Sequence, residues 1–297
     1  MNDYQLTNKY LTVGIKSAGA ELTSIKANDD GYEYLWQGDP AIWKRHAPIL
    51  FPIVGRLQDD SYFFQDKEYH MSQHGFARDI DWKTVSSSST KLVLQIQSTE
   101  ETLAHYPFKF SLQVMYELND RQLKVDYQVR NTDEKTMFFS IGGHPAFNAD
   151  FASATVSADK ATFDHYVLAG NYLNPQAIGQ FDFSSAHQIS RSDFAHDAII
   201  LKAPEGSTEL TLRTDVAAKH LSSNSLRKTA SVSINAVNLE FFGIWSKATD
   251  DAPFVALEPW WGVADTIDTN KKLADKLGIM PLAVNKEKVF HYSMRFL

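Results

Sequence analysis

Five polar residues of the chain stand in apolar stretches punctuated by glycine or proline, where a charge needs a reason. Glu258 lies in FVALEPWWGVAD (254–265), between the run Phe254-Val255-Ala256-Leu257 and Pro259. His144 lies in FFSIGGHPAFN, His74 in SQHGFAR, Arg56 closes PILFPIVGRL, and Asp197 sits in FAHDAIIL. A glutamate and a histidine together can remove a proton at one point and deliver one at another. Their ordinary pKa values, about 4.3 and 6.5, leave the carboxylate ready as base at neutral pH, and a nearby negative charge can keep a histidine protonated as acid. Taken singly, each residue has a plainer reading. His144 and His74 suit histidines satisfied by backbone carbonyls at turns, Arg56 an ion pair on a loop, and Asp197 a solvated turn. Trp260 and Trp261 read as half core and half pocket wall. His74, His144 and Glu258 would also make a two-histidine, one-carboxylate metal set, although no His-x-His or HExxH spacing supports one.

The elements that must position these residues are strands. FKFSLQVMYEL places Phe108, Phe110, Leu112, Val114, Tyr116 and Leu118 on one face, and QLKVDYQVRN repeats the pattern after Asn119-Asp120. That pair predicts a hairpin with one wet face. KLVLQIQ, TELTLRT, VSINAVNLEFFGIW and KVFHYSMRF predict further strands. The run before Glu258 predicts a buried strand that ends near Pro259, which cannot donate to a ladder. The glycines of GGHP would let the backbone approach a ligand. Helical signals are short: STEETLAHY has Ser98 and Glu101 at capping-box spacing, and NKKLADKLG ends at Gly278. The serines at 86–89 predict a hairpin turn. Strands run from end to end without a composition break or linker, which predicts one antiparallel β-sandwich domain over 1–297.

Composition bounds the function. The chain has 297 residues, of which 43% are hydrophobic, so a substantial core is expected. A net charge of -7 argues against nucleic acid or an anionic membrane as partner and favours a small polar ligand. With no cysteine, disulfides, zinc-thiolate sites and thiol nucleophiles are excluded. The N-terminal segment lacks a basic then apolar leader, and no apolar run approaches the roughly 18 residues of a membrane span, so a cytoplasmic location is expected. A monomer and a homodimer both fit.

GGHPAFN, EPWWGVAD, the YPFKFSLQVMYELND and QLKVDYQVRNTD pair, and KLADKLGIMPLAVNKEKVFHYSMRF together resemble the aldose 1-epimerase (galactose mutarotase) superfamily, in its LacX-like branch. The resemblance covers essentially the whole chain. It implies an all-β supersandwich of antiparallel strands with a sugar cleft on a concave face, and an isomerase acting on a monosaccharide without metal or cofactor. Glu258 matches the base that takes the C1 hydroxyl proton and His144 the acid that protonates the ring oxygen. His74 matches a second histidine near that oxygen, Arg56 an arginine that orients substrate oxygens, and Asp197 a residue that binds hydroxyls, with Trp260 and Trp261 shaping the cleft. After Glu258, Pro259-Trp260-Trp261-Gly262 departs from galactose mutarotases proper. Two alternatives stand beside this implication. One is a sugar-binding protein of the same fold without turnover. The other is a hexose-phosphate substrate, for which Lys44, Arg45 and Arg78 could supply cations, although their plainer reading is solvated surface charge.

Overall fold

Period-two alternation does what it predicts in the longest strands. Phe110–Asn119 and Gln122–Asn131 pair antiparallel in the register Tyr116↔Val125 and Val114↔Tyr127, with their apolar residues buried and the alternate residues reaching water. The chain is described by a computed structural model over residues 3–217, 220–222, 225–249 and 252–297. The hairpin lies within a nine-stranded antiparallel sheet. From one edge the order is 187–188, 155–158, 207–215, 229–237, 287–296, 122–131, 110–119, 91–97 and 83–87.

An eight-stranded antiparallel sheet lies against it. Its path runs 179–182, 162–166, 199–202, 241–245, 254–261, 141–143 and 49–50, and strand 146–148 also pairs with 254–261. One apolar core takes Leu112, Val114, Val125 and Phe290 from the first sheet and Phe242, Ile244, Val255 and Leu257 from the second. This is an all-β sandwich, with one short α-helix among the described residues, at Glu100–His105. Among the described residues no helix is long and apolar enough to cross a membrane.

The strand Phe254–Trp261 is buried along its whole length and separates two environments. Val255, Leu257 and Trp261 point into the main core, whereas Phe254, Ala256, Glu258 and Trp260 share the opposite face, in the order that period two requires. Trp261 therefore does not shape the cleft; its indole N–H donates to the Val237 carbonyl at 3.2 Å and its ring packs on Phe290. The strand also continues through Pro259 to Trp261 instead of ending there. Leu257 N–H donates to Pro145 O, so the missing Pro259 N–H faces the same side, where the neighbouring strand changes from 146–148 to 141–143 around His144. No ladder bond is lost at that interruption.

Other boundaries differ for local reasons. VSINAVNLEFFGIW forms two strands, 229–237 and 241–245, in different sheets, split at Asn238 with φ 49°. The helix cap is Thr99 with Thr102, one residue beyond Ser98 and Glu101, because two threonines satisfy the box reciprocally. Before Gly278 only a 3₁₀ turn forms, at Leu273–Asp275.

Candidate active site

Arg56, His74, His144, Asp197, Glu258 and Trp260 all line one cleft, of about 210 Å³, on the outer face of the eight-stranded sheet. Glu258 stands opposite Gly243 across the ladder, and the Trp260 indole two residues on lies over both Gly243 and Gly142. A Cβ at Gly243 would come within 2.6 Å of the Trp260 ring, and one at Gly142 within 2.9 Å. At Gly143 a Cβ would meet the hydroxyls of Tyr292 and Tyr127 at 3.1 and 3.2 Å. The two glycines before His144 thus admit protein side chains against the backbone, not a ligand as the sequence suggests.

His144 is carried at the break between strands 141–143 and 146–148, its N–H tied to Pro48 O at 3.1 Å. Its Nε2 lies 3.1 Å from Glu258 Oε2, although the angles do not make this a hydrogen bond. His74 adopts φ 66°, and its main chain and ring make a closed exchange with Gly55. His74 N–H donates to Gly55 O at 2.7 Å, and Gly55 N–H donates to His74 Nδ1 at 3.1 Å. With Nδ1 accepting, the neutral ring must carry its hydrogen on Nε2. Arg56 follows directly, its Nη1 3.6 Å from Asp60 Oδ2. Asp197, with φ 70°, accepts from Trp245 Nε1 at 2.6 Å.

Burial sets the charges. Glu258 is 1% exposed, and loss of water pushes its carboxyl well above the usual range, with the Asp197 charge adding to the effect. Burial pushes His144 down to about 3, with Arg78 acting in the same direction. His74 is likewise held well below its ordinary value, by burial first and then by Arg78. Burial therefore favours a proton on Glu258 and a neutral His144, the reverse of the distribution expected from the reference values. Desolvation disfavours either charge more than the unsupported contact rewards the ion pair. Glu258 Oε2, His144 Nδ1 and Trp260 Nε1 are buried without a hydrogen-bond partner. Polar atoms in that state call for a ligand that can pair with them.

Two cleft tryptophans lay outside the sequence assignment. Trp43 stacks on His144 with ring centres 4.9 Å apart, and Trp245 meets the same imidazole edge-on at 5.3 Å. Trp43 comes from a segment without strand or helix, so periodicity gives no signal for it; Trp245 alternates with Gly243 on the Glu258 face, a signal that could have found it. Arg78 is not a solvated cation: its side chain is 16% exposed, lines the cleft and donates to Gln73 O. Asp79 lies 3.7 Å from Arg78 Nε and pairs more closely with Arg45, at 2.6 Å, while Lys44 is exposed and does not line the cleft. Among the described residues no three His, Asp or Glu side chains group as metal ligands.

Comparison with known proteins agrees with this architecture. Residues 2–251 match the sequence model of the aldose 1-epimerase family. The plasmid-encoded protein LacX of Lactococcus lactis subsp. lactis is 32% identical over 305 residues, spanning 95% of this chain and 96% of its own. A galactose mutarotase related enzyme from Lactobacillus acidophilus superposes with a TM-score of 0.91 at 32% identity, covering 100% of this chain and 97% of that one. A galactose mutarotase-like protein from Lactobacillus casei gives 0.84 at 30% identity, covering 99% of each.

Proposed function

The chain belongs to the aldose 1-epimerase family, and from that premise we propose that it interconverts the α and β anomers of an aldose by acid–base ring opening and closure in this cleft. The observation that carries the reading is the buried His144–Glu258 contact of 3.1 Å, with Glu258 Oε2 left without a hydrogen bond. Mutarotation acts on two oxygens attached to one carbon. It needs a proton acceptor at the C1 hydroxyl and a donor at the ring oxygen, side by side.

The buried pair holds one proton between its two members. Sugar hydroxyls that pair with Glu258 replace its lost water and favour the form with Glu258 ionised and His144 protonated. Glu258 then takes the C1 hydroxyl proton while His144 gives its proton to the ring oxygen. The C1–O5 electron pair stays with that oxygen, and C1 becomes an aldehyde carbon. Rotation about C1–C2 presents the other face, and closure with the roles reversed forms the second anomer and restores the pair. His74, a neutral Nε2–H donor, would hold the ring-oxygen side, while Arg56 and Asp197 would hold hydroxyls. The chemistry moves protons without net redox, so it calls for no cofactor.

Arg78 favours a second reading, an aldose that carries a phosphate. It brings a guanidinium into the cleft, with its Nε buried and without a hydrogen bond. The deciding experiment follows freshly dissolved α-D-glucose, α-D-galactose and α-D-glucose 6-phosphate by polarimetry or proton NMR, with wild type beside Glu258→Gln. Acceleration of one sugar, lost by a factor of about 10²–10⁴ in the variant, is expected. Binding without acceleration by wild type would replace the enzyme by a sugar-binding protein.

A further inference from the structure

Behind the cleft lies a buried ion pair that the proton-transfer scheme does not use. Lys276 Nζ is 3.3 Å from Asp265 Oδ1, and both side chains are 2% exposed. Asp265 is the last residue of EPWWGVAD. Isolated pairs of this kind contribute little net stability, because desolvation of both charges offsets their attraction. What the pair does is better read from what it holds.

Asp265 joins three segments of the cleft wall. Its N–H donates to Arg56 O at 2.9 Å, its Oδ2 accepts from Gln58 N–H at 2.9 Å, and its O accepts from Leu173 N–H at 2.8 Å. Lys276 fixes the same stretch from behind by donating to Val263 O. Ala264 packs on Gly55 so closely that a Cβ there would lie 2.5 Å from the Ala264 Cα. The segments so joined present Gly55, Arg56, Leu168, Asn171, Val263 and Ala264 to the cleft. His144 receives no bond from Asp265 or Lys276, and Glu258 is held by the ladder of strand 254–261.

We propose that Asp265 and Lys276 are positioning residues for this site: a buried clamp that sets Arg56 and the hairpin 168–173 against the substrate, governing its binding and not the proton transfers. The inference rests on the aldose 1-epimerase reading above. Losing the clamp lets Arg56 and the rim relax, which weakens a contact made in ground state and transition state alike. Such a loss raises KM and leaves kcat nearly unchanged.

The test uses the full chain and the sugar that wild type turns over. The double variant Asp265→Asn/Lys276→Met removes both buried charges together; Asp265→Asn alone, near in shape, is the second variant. Each is assayed for KM, kcat and thermal midpoint, alone and combined with Arg56→Ala. A rise in KM of about tenfold with kcat within about threefold is expected, and a further rise of less than about threefold when Arg56→Ala is already present, because only the hairpin is then left to relax. Unchanged KM, a fall in kcat alone, or KM effects that multiply with Arg56→Ala would overturn the clamp. So would failure of both variants to fold, which would assign the pair to stability. Wild type that neither turns over nor binds any of the sugars sinks the functional reading, and the clamp with it. An active wild type beside a kinetically normal variant sinks the clamp alone.

Discussion

The two sheets solve opposite problems with the same backbone. In the nine-stranded sheet Phe110–Asn119 alternates buried and wetter residues, so each strand declares which face is inward. In the eight-stranded sheet Phe254–Trp261 is buried on both faces, and a glutamate occupies one of them. A polar residue on the wet face of the first sheet asks nothing of its surroundings. Glu258 must lose its water to stand where it does, and its Oε2 finds no protein partner in return. The first sheet is built for stability, and the second gives some of that up to hold a buried carboxyl without a protein partner.

That contrast predicts opposite signs for two substitutions. Leu112→Ala, in the core of the nine-stranded sheet, leaves a cavity and should cost about 2–5 kcal/mol. Glu258→Gln should be neutral or stabilising, by up to about 3 kcal/mol, since it removes a buried group whose charge is unsatisfied. The sign follows from the raised carboxyl pKa. The folded state keeps a proton that the unfolded chain releases, so stability is lost as pH rises above about 4.5, and the variant escapes that loss. Urea unfolding at pH 7 and pH 8 measures both. A Glu258→Gln variant less stable than wild type at pH 8 would make Glu258 a structural partner and break the contrast.

Acid sharpens it from the histidine side. His144 has a depressed folded value, about 3, so the stability of its neutral form is present above about 6.5 and is lost as pH falls towards 3. His74 is shifted in the same sense. Since Glu258 works in the opposite direction above about pH 4.5, the histidine slope is cleanest in the Glu258→Gln background. There, adding His144→Asn should remove up to about 1.4 kcal/mol per pH unit of acid lability between pH 6 and pH 4, read by urea midpoints. An unchanged slope would mean that His144 stays solvated when folded.

The same contrast explains what could be read from the residues alone. The hairpin 110–131 is written in alternation, and Glu258, His144, His74 and Arg56 are conspicuous because a charge interrupts apolar sequence. Trp43 shows no such signal. It reaches His144 from a segment without regular structure, beside backbone held by buried Glu21, whose Oε1 accepts from His46 and Ala47 N–H at 2.7 and 3.1 Å. Arg78 looks like any surface cation until the fold turns it inward. Pro259 misleads because a proline ends a strand only where its N–H is needed, and here the neighbouring strand is itself interrupted. The nearest-neighbour pattern encodes the strands; the cleft is assembled from segments far apart in sequence, and its proton distribution follows from burial that only the fold creates.

The smallest effect tests whether the cleft wall is specific packing or mere apolar surface. Trp245 has two attachments, a ring edge against His144 and an N–H bonded to Asp197. Trp245→Phe keeps an aromatic wall and deletes the donor, which frees Asp197 to move and pushes its carboxyl, already raised by burial, higher still. If Asp197 holds a substrate hydroxyl, KM should rise about three- to tenfold while kcat stays within about twofold, because the His144–Glu258 contact is untouched. Steady-state mutarotation rates at several sugar concentrations separate the two. A fall in kcat at constant KM would instead place the weight of Trp245 on the imidazole, making the wall part of the acid–base pair and not of the binding surface.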